Sequence, residues 1–423
     1  MNFLDCDFSQ YTVLGTCMSK KWSQTLAGKF SVCLPEDVID WCDSEIWKKE
    51  SLQEFSEEGC PDGSGIWGGA MLPDTLPMLG NGCGDCLCLR FRPDGTVSEV
   101  IRWLHEGAMW SSYGNSLSEA ILFDAALAVA KGDPSVSPLY ADWALKRLEI
   151  EPDKRAKLEE DLSISSLFEA GLAETAVRRE LCKQCWSSGL LRFCHKKGCG
   201  NLAEQLGVAW SKFSEWLFDT SLIPTSLMAE LAKRTGIPPE AILHQDWEGA
   251  TMHALRVREL RTDLSWPYAV LGWAAERLGH LQRAVDYYFA GLKTLETSAD
   301  FTETWATSDF GIRKFALDRL RARRDVLSPE ILHDSYVQAT LKAEKEGVAI
   351  RDYWLEQGQL AEQRGLNEDA YHCYYSAGWD FYCFDDMEMI LEGLVRTARS
   401  AGWLPLARIA ESHLQAFHQL GHH

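Results

Sequence analysis

Four cysteines near the middle of the chain have residue types and spacing that could hold a metal. Cys182-x-x-Cys185 is followed by Cys194 and Cys199, the order CxxC-x8-C-x4-C, and thiolates in such sets bind zinc tetrahedrally. The first pair also reads as a buried stripe, because Leu167–Trp186 has the periodicity of one continuous helix. Gly80, Gly82 and Gly84 precede Asp85. That run lacks the Gly-Lys-Ser/Thr of a phosphate-binding loop and the G-x-G-x-x-G of a dinucleotide fold. Asp85 is a candidate carboxylate base, but an Asp after a glycine turn ordinarily bonds its own backbone. His105 and Glu106 are neighbours on an expected strand and so point to opposite faces. No Ser-His-Asp or Cys-His spacing stands out. The chain reads as non-enzymatic and without a cofactor.

The elements that must position these groups fall into three textures. Residues 1–130 mix aromatics, glycines and short strand-like runs, and the breaker run Lys131–Pro138 follows them. Beyond it the apolar spacing is helical, with stops at Gly-Ile-Pro-Pro (236–239), Ser-Trp-Pro (265–267) and Ser-Pro (328–329). The chain of 423 residues carries 62 acids against 42 Lys and Arg, a net charge of −20. Such a balance argues against broad nucleic-acid or anionic-membrane binding. Residues 1–130 hold 19 acids and 8 bases, whereas 178–234 hold 9 bases and 5 acids, a basic island. The start, MNFLDCDFSQ, has acids where a secretion signal has Lys or Arg, and no run is long enough to span a membrane. The expected location is cytoplasmic, with the 14 cysteines serving as small core hydrophobes in a reducing compartment.

Within the first region, Leu34-Pro-Glu-Asp opens a helix with acids in its first turn. Asp85–Phe91 reads as a strand, Pro93-Asp94-Gly95 as a hairpin turn and Thr96–Leu104 as the returning strand. Ser116-Leu-Ser-Glu119 has capping-box spacing and opens a closing helix through Ala130. This order predicts an α+β domain with an antiparallel sheet and flanking helices. The Leu-Pro-Glu-Asp helix, the run Gly80-Asn-Gly-Cys-Gly-Asp-Cys-Leu-Cys-Leu89, Trp103-Leu-His-Glu106 and Tyr113-Gly-Asn-Ser-Leu-Ser-Glu-Ala-Ile121 together resemble the SUKH superfamily. The resemblance covers about residues 20–130. It implies a binding fold of the bacterial toxin-immunity type, which neutralises a toxin by occupying its active site and has no catalysis of its own. Acids and aromatics in the expected loops are the candidate partner-binding residues: Glu54, Glu57, Glu58, Asp62, Glu106, Trp110 and Tyr113. Set against the basic channel of a nuclease, they would steer encounter; a solvated acidic face with packed aromatics is the other reading.

In 178–250, Leu202, Ala203 and Leu206 form one side of a short helix, and Gly207 suits its left-handed stop. Val208, Phe213, Trp216 and Leu217 would anchor a second helix, the spacing of a helix-turn-helix. Leu-Ala-x-x-Leu-Gly-Val and the later Thr-Gly-Ile-Pro resemble the repressor-type fold of the Cro family. That resemblance puts Trp210, Ser211, Lys212, Ser214 and Glu215 on the recognition helix and makes DNA a possible partner through residues 178–243. Trp210 and Glu215 depart from the family's usual hydrogen-bonding and basic residues, so a packing or protein-binding module is the other reading.

From 251 to 423, Leu271, Gly272, Gly279, Ala284, Tyr288 and Gly291 resemble the tetratricopeptide pattern. Trp354, Gly358, Gly365, Ala370, Tyr374 and Ala377 form a second copy, and Leu394, Ala398, Gly402 and Ala407 a weaker third. Such hairpins stack into a superhelix with a concave peptide-binding face. Its expected lining is Trp273, Glu276, Arg277, Gln359 and Glu362, with a scaffold or dimerisation surface as the alternative.

The organisation expected is thus a SUKH-like domain over 1–130, connecting helices over 131–177, a helix-turn-helix over 178–250 and helical repeats over 251–423. Two functions fit it. One is an immunity protein that binds a protein toxin through its acidic first domain. The other is a transcriptional regulator whose repeats sense a peptide or protein.

Overall fold

A computed structural model describes residues 22–44, 65–80, 84–105, 109–130, 132, 138–187, 207, 224–235, 247–262, 264–294, 311–346, 351–378 and 386–419. Helices α1 (Trp22–Phe30) and α2 (Glu36–Ser44) come first. Four strands follow: β1 (Thr75–Gly80), β2 (Cys86–Phe91), β3 (Val97–Leu104) and β4 (Met109–Gly114). They pair antiparallel in chain order. Helix α3 (Leu117–Ala130) closes this unit. The expected α+β fold is present, followed by an all-helical region.

Local chemistry explains the sheet. The Asp94 carboxylate accepts the Thr96 amide at 2.9 Å and its hydroxyl at 2.6 Å, which sets the β2–β3 turn. Cys86, Leu87, Cys88 and Leu89 are all buried, so both faces of β2 are covered. One face carries Leu87, Leu89, Val100 and Arg102 and meets α3, where Tyr113 packs edge-on against Phe123. The other carries Cys88, Arg90, Glu99, Ile101 and Trp103, and the Trp103 indole donates to the Ala70 carbonyl at 3.2 Å. Helix α3 is apolar nearly all round because sheet, α4 and α6 surround it. Its N-terminus is capped twice. Ser116 Oγ accepts the Glu119 amide, and Asp37 of α2 accepts the Ser118 amide at 2.9 Å.

Next come α4 (Pro138–Arg147), α5 (Pro152–Glu160), α6 (Ile164–Ala170) and α7 (Glu174–Ser187). The expected continuous helix over 167–186 is therefore two helices. Gly171 ends α6 in the left-handed conformation, φ 74°, and the Glu119 carboxylate holds the new start by accepting the Ala173 amide at 3.0 Å. Helices α8 (Thr225–Thr235) and α9 (Trp247–Leu260) follow.

The C-terminal part comprises α10 (Trp266–Arg277), α11 (Leu281–Thr294), α12 (Gly311–Ala322), α13 (Pro329–His333), α14 (Ser335–Glu346), α15 (Arg351–Gln363), α16 (Asn367–Ala377), α17 (Met387–Ser400) and α18 (Leu404–Gln419). The three aligned segments form the hairpins α10/α11, α15/α16 and α17/α18, with Gly279, Gly365 and Gly402 in their turns. Each hairpin is tied by a pair twelve residues apart. Tyr288 donates to Glu276 at 2.9 Å, Tyr374 donates to Glu362 at 2.9 Å, and Arg399 pairs with Glu411.

The last hairpin folds back on the first unit. Its α18 packs against α1, Arg408 donates to the Gly28 carbonyl at 3.0 Å, and His413 lies against the outer edge of β1. An edge strand and the end of a helical stack both need cover, and here each covers the other.

Candidate functional site

The residues with the most chemistry gather between the sheet and the helical region. Arg90 stands on β2 with Thr75 and Glu99 as its cross-strand neighbours. Its Nε donates to Asp74 at 2.9 Å and its Nη1 to Glu99 at 3.1 Å. Arg261, just after α9, puts Nη1 and Nη2 on the two Glu99 oxygens at 2.5 and 2.9 Å. The Ser112 hydroxyl of β4 donates to Glu99 at 2.5 Å, and Tyr375 of α16 donates to Asp74 at 3.0 Å. The Glu99 side chain is only 4% exposed. Burial raises its carboxyl, but Arg261 and then Arg90 outweigh that and hold it below the usual carboxylate range. Two acids and two guanidiniums thus neutralise one another away from water. A narrow crevice adjoins them, lined by Glu99, Ser112, Asn115, Thr175 and Arg261.

A second cluster lies at the end of the sheet. The Asp85 carboxylate accepts the His105 amide at 3.1 Å, lies 3.1 Å from His105 Nδ1 and pairs with Arg102 at 3.5 Å. Asp85 therefore reaches across to β3. The register explains it: Cys86 opposes Trp103, so the residue before β2 faces the end of β3. Trp67 flanks the imidazole with ring centres 6.5 Å apart. A carboxylate fixing Nδ1 leaves Nε2 available for hydrogen bonding or proton transfer.

Several expected binding residues are placed differently. Trp110 and Tyr113 are not loop residues; they stand in β4 and are fully buried. Trp110 packs beneath Arg90, and the Tyr113 hydroxyl donates to Asp124 at 2.8 Å. Side chains alternate along a strand, so Trp110 and Tyr113, three residues apart, take opposite faces of β4, and both faces are covered. In the helical hairpins Trp273 is core, 2% exposed, and Glu276 is enclosed by Arg319, Arg323 and Tyr288. Helix α10 is an inner helix surrounded by α9, α11 and α12, so these two line no open face. Arg277 and Glu362 are half-buried, Glu362 being held by Arg396 and Tyr374, and Gln359 is exposed.

Glu54, Glu57, Glu58, Asp62 and Glu106 lie outside the described residues, as do Trp210, Ser211, Lys212, Ser214, Glu215, Cys194 and Cys199. Cys182 and Cys185 are within α7, and their side chains lie outside the described set. Gly207 has φ 66°, in the left-handed region that favours glycine. Among the described residues no helix is long and apolar enough to cross a membrane.

Sequence reasoning missed the Arg90–Glu99–Arg261 cluster and the Asp85–His105 pair. Arg90 and Glu99 inside otherwise apolar strands were the available signal; Arg261 carried none. No protein-family model matches the chain, and no curated protein matches it.

Proposed function

We propose that this chain is a protein-binding protein of the toxin-immunity kind, which neutralises a basic partner through the acidic surface of its first unit. The observation that carries this reading is the fate of the arginines. Of the three in residues 1–130, Arg90 is spent on Asp74 and Glu99, and Arg102 on Asp85. Setting aside those three acids and two arginines leaves 16 acids against 6 bases in residues 1–130. Such a surface favours a partner with a positively charged cleft and speeds its encounter. The helical hairpins supply a rigid back to the unit, since α16, α18 and Arg261 all grip the sheet.

The test is an affinity capture of the tagged full-length protein from nuclease-treated native lysate, repeated with Glu57, Glu58 and Asp62 changed to Lys. One stoichiometric partner, lost on charge reversal, supports the reading. A partner held equally by the reversed variant removes that surface from it. Recovery of no protein, with a specific DNA shift instead, would move the function to regulation through residues 178–243.

A further inference from the structure

We propose that His413 is an acid-sensitive latch, whose protonation releases α18 from the edge of β1 and undocks the last hairpin from the sheet unit. The inference is independent of the partner proposed above.

Geometry carries it. His413 is fully buried between α18 and β1, and its Nε2 lies 3.0 Å from the Thr75 carbonyl. A carbonyl only accepts, so Nε2 bears the proton and Nδ1 is the bare nitrogen. Nδ1 is buried with no hydrogen-bond partner among the described residues. The surroundings leave little room for rearrangement. A Cβ on Gly68 would lie 2.3 Å from the His413 carbonyl oxygen and 2.3 Å from the Phe417 amide nitrogen. A second proton would therefore create an enclosed cation whose new N–H meets no acceptor, an arrangement that is strongly disfavoured.

The charged groups nearby do not rescue it. Asp74, next to Thr75, is already engaged by Arg90 and Tyr375. From α16, Tyr371, His372 and Tyr375 share the field of the same carboxylate. On α18 itself, Arg408 bonds the Gly28 carbonyl, Glu411 pairs with Arg399 and His418 pairs with Glu388. From α1, Lys29 lies over the Phe30 ring. Burial accordingly pushes the His413 imidazole down to about 4.

Released into water, the same imidazole takes its proton at the ordinary 6.5 or so. Docking and protonation are thus opposed. The sign follows: docking is at full strength above about pH 6.5 and weakens as the pH falls toward 4. With these two values, docking at pH 5 is roughly 30-fold weaker than at pH 7.5.

Hydrogen exchange of the full-length protein at pH 7.5 and 5.0, corrected for intrinsic rates, reads this directly. The expected result is about a 30-fold loss of protection in 75–80 and 404–419 at the lower pH, with 86–91 and 97–104 retained. His413→Gln keeps an N–H donor but does not titrate, and it is expected to abolish that loss. Equal acid-induced loss in His413→Gln, or simultaneous loss across all strands, overturns the proposal. Should the variant fail to fold, an NMR titration of the wild-type imidazole decides the matter. Protonation coincident with exposure of α18 supports the latch, and protonation while α18 amides stay protected refutes it.

Discussion

Arg261 closes both of its terminal nitrogens on the Glu99 carboxylate, although 162 residues separate them in the chain. One residue follows α9 and the other lies mid-strand in β3. The bond therefore couples the helical region to the sheet at the point where Arg90 already neutralises the same carboxylate.

Removing Arg261 should be costly, because Glu99 stays buried with half its compensation gone. Arg261→Met is expected to lower unfolding stability by about 3–5 kcal/mol. The double variant Arg261→Met/Glu99→Gln should lose less than the two singles combined, since neither charge is then stranded. Urea titrations of the three variants measure this, and a loss below about 1 kcal/mol for Arg261→Met would show that the pair does not couple the parts.

The two hairpin glutamates should differ. Glu276 is 6% exposed and held by Arg319, Arg323 and Tyr288, whereas Glu362 pairs with an Arg396 that is half exposed. Glu276→Gln should cost about 3–5 kcal/mol, and Glu362→Gln about 0–1 kcal/mol. Burial opposes ionisation of Glu276, but bonding to Arg319 and the nearby guanidiniums lowers its carboxyl overall. A depressed carboxyl contributes stability above its ordinary range of about 4.5, and that contribution is lost as pH falls through the lowered value. The acid limb of the stability profile should therefore flatten in Glu276→Gln; an unchanged limb would exclude this role.

Two equivalent glycines should answer unequally to alanine. A Cβ at Gly272 would lie 2.5 Å from the Tyr288 ring, and one at Gly358 3.2 Å from the Tyr374 ring. Alanine favours a helix by about 1 kcal/mol over glycine, and overpacking costs about 1–3 kcal/mol. Gly272→Ala should be clearly destabilising and Gly358→Ala near neutral. Thermal melts of both variants test the order, and the reverse order would show that α10 and α11 are not in close approach.

Cysteine labelling should separate surface from core. Burial, with Asp43 and Asp85 adding to it, pushes the Cys42 and Cys86 thiols up to about 12, and burial raises Cys88 as well. Cys33 is exposed. Native iodoacetamide treatment at pH 8, read by mass spectrometry, should modify Cys33 and leave those three until denaturant is added. Fast native labelling of Cys88 would mean that the sheet is open.

Local features were legible in the chain because they depend on neighbours. Pro93-Asp94-Gly95 turns, Ser116 caps α3, and the spacing Gly272–Tyr288 recurs 86 residues later at Gly358–Tyr374 with the same ring-over-glycine contact. Trp110 and Tyr113 escaped that reading. Two serines between two aromatics fit a loop or a strand equally, and only pairing with Ile101 and Trp103 makes the segment β4. The break at Gly171 was hidden in the same way, since helical periodicity continues on both sides of it.

The order of α+β unit and helices, the turns, the caps and the repeat spacing follow from contacts within a few dozen residues and are written in the chain. Which charges meet is a property of the folded packing alone. Asp74, Arg90, Glu99, Arg261 and Tyr375 find one another, and His413 finds Thr75, across up to 338 positions. No periodicity encodes such partners. Their pairing is the consequence of burial, which makes a lone charge expensive and so selects the packing in which opposite charges meet.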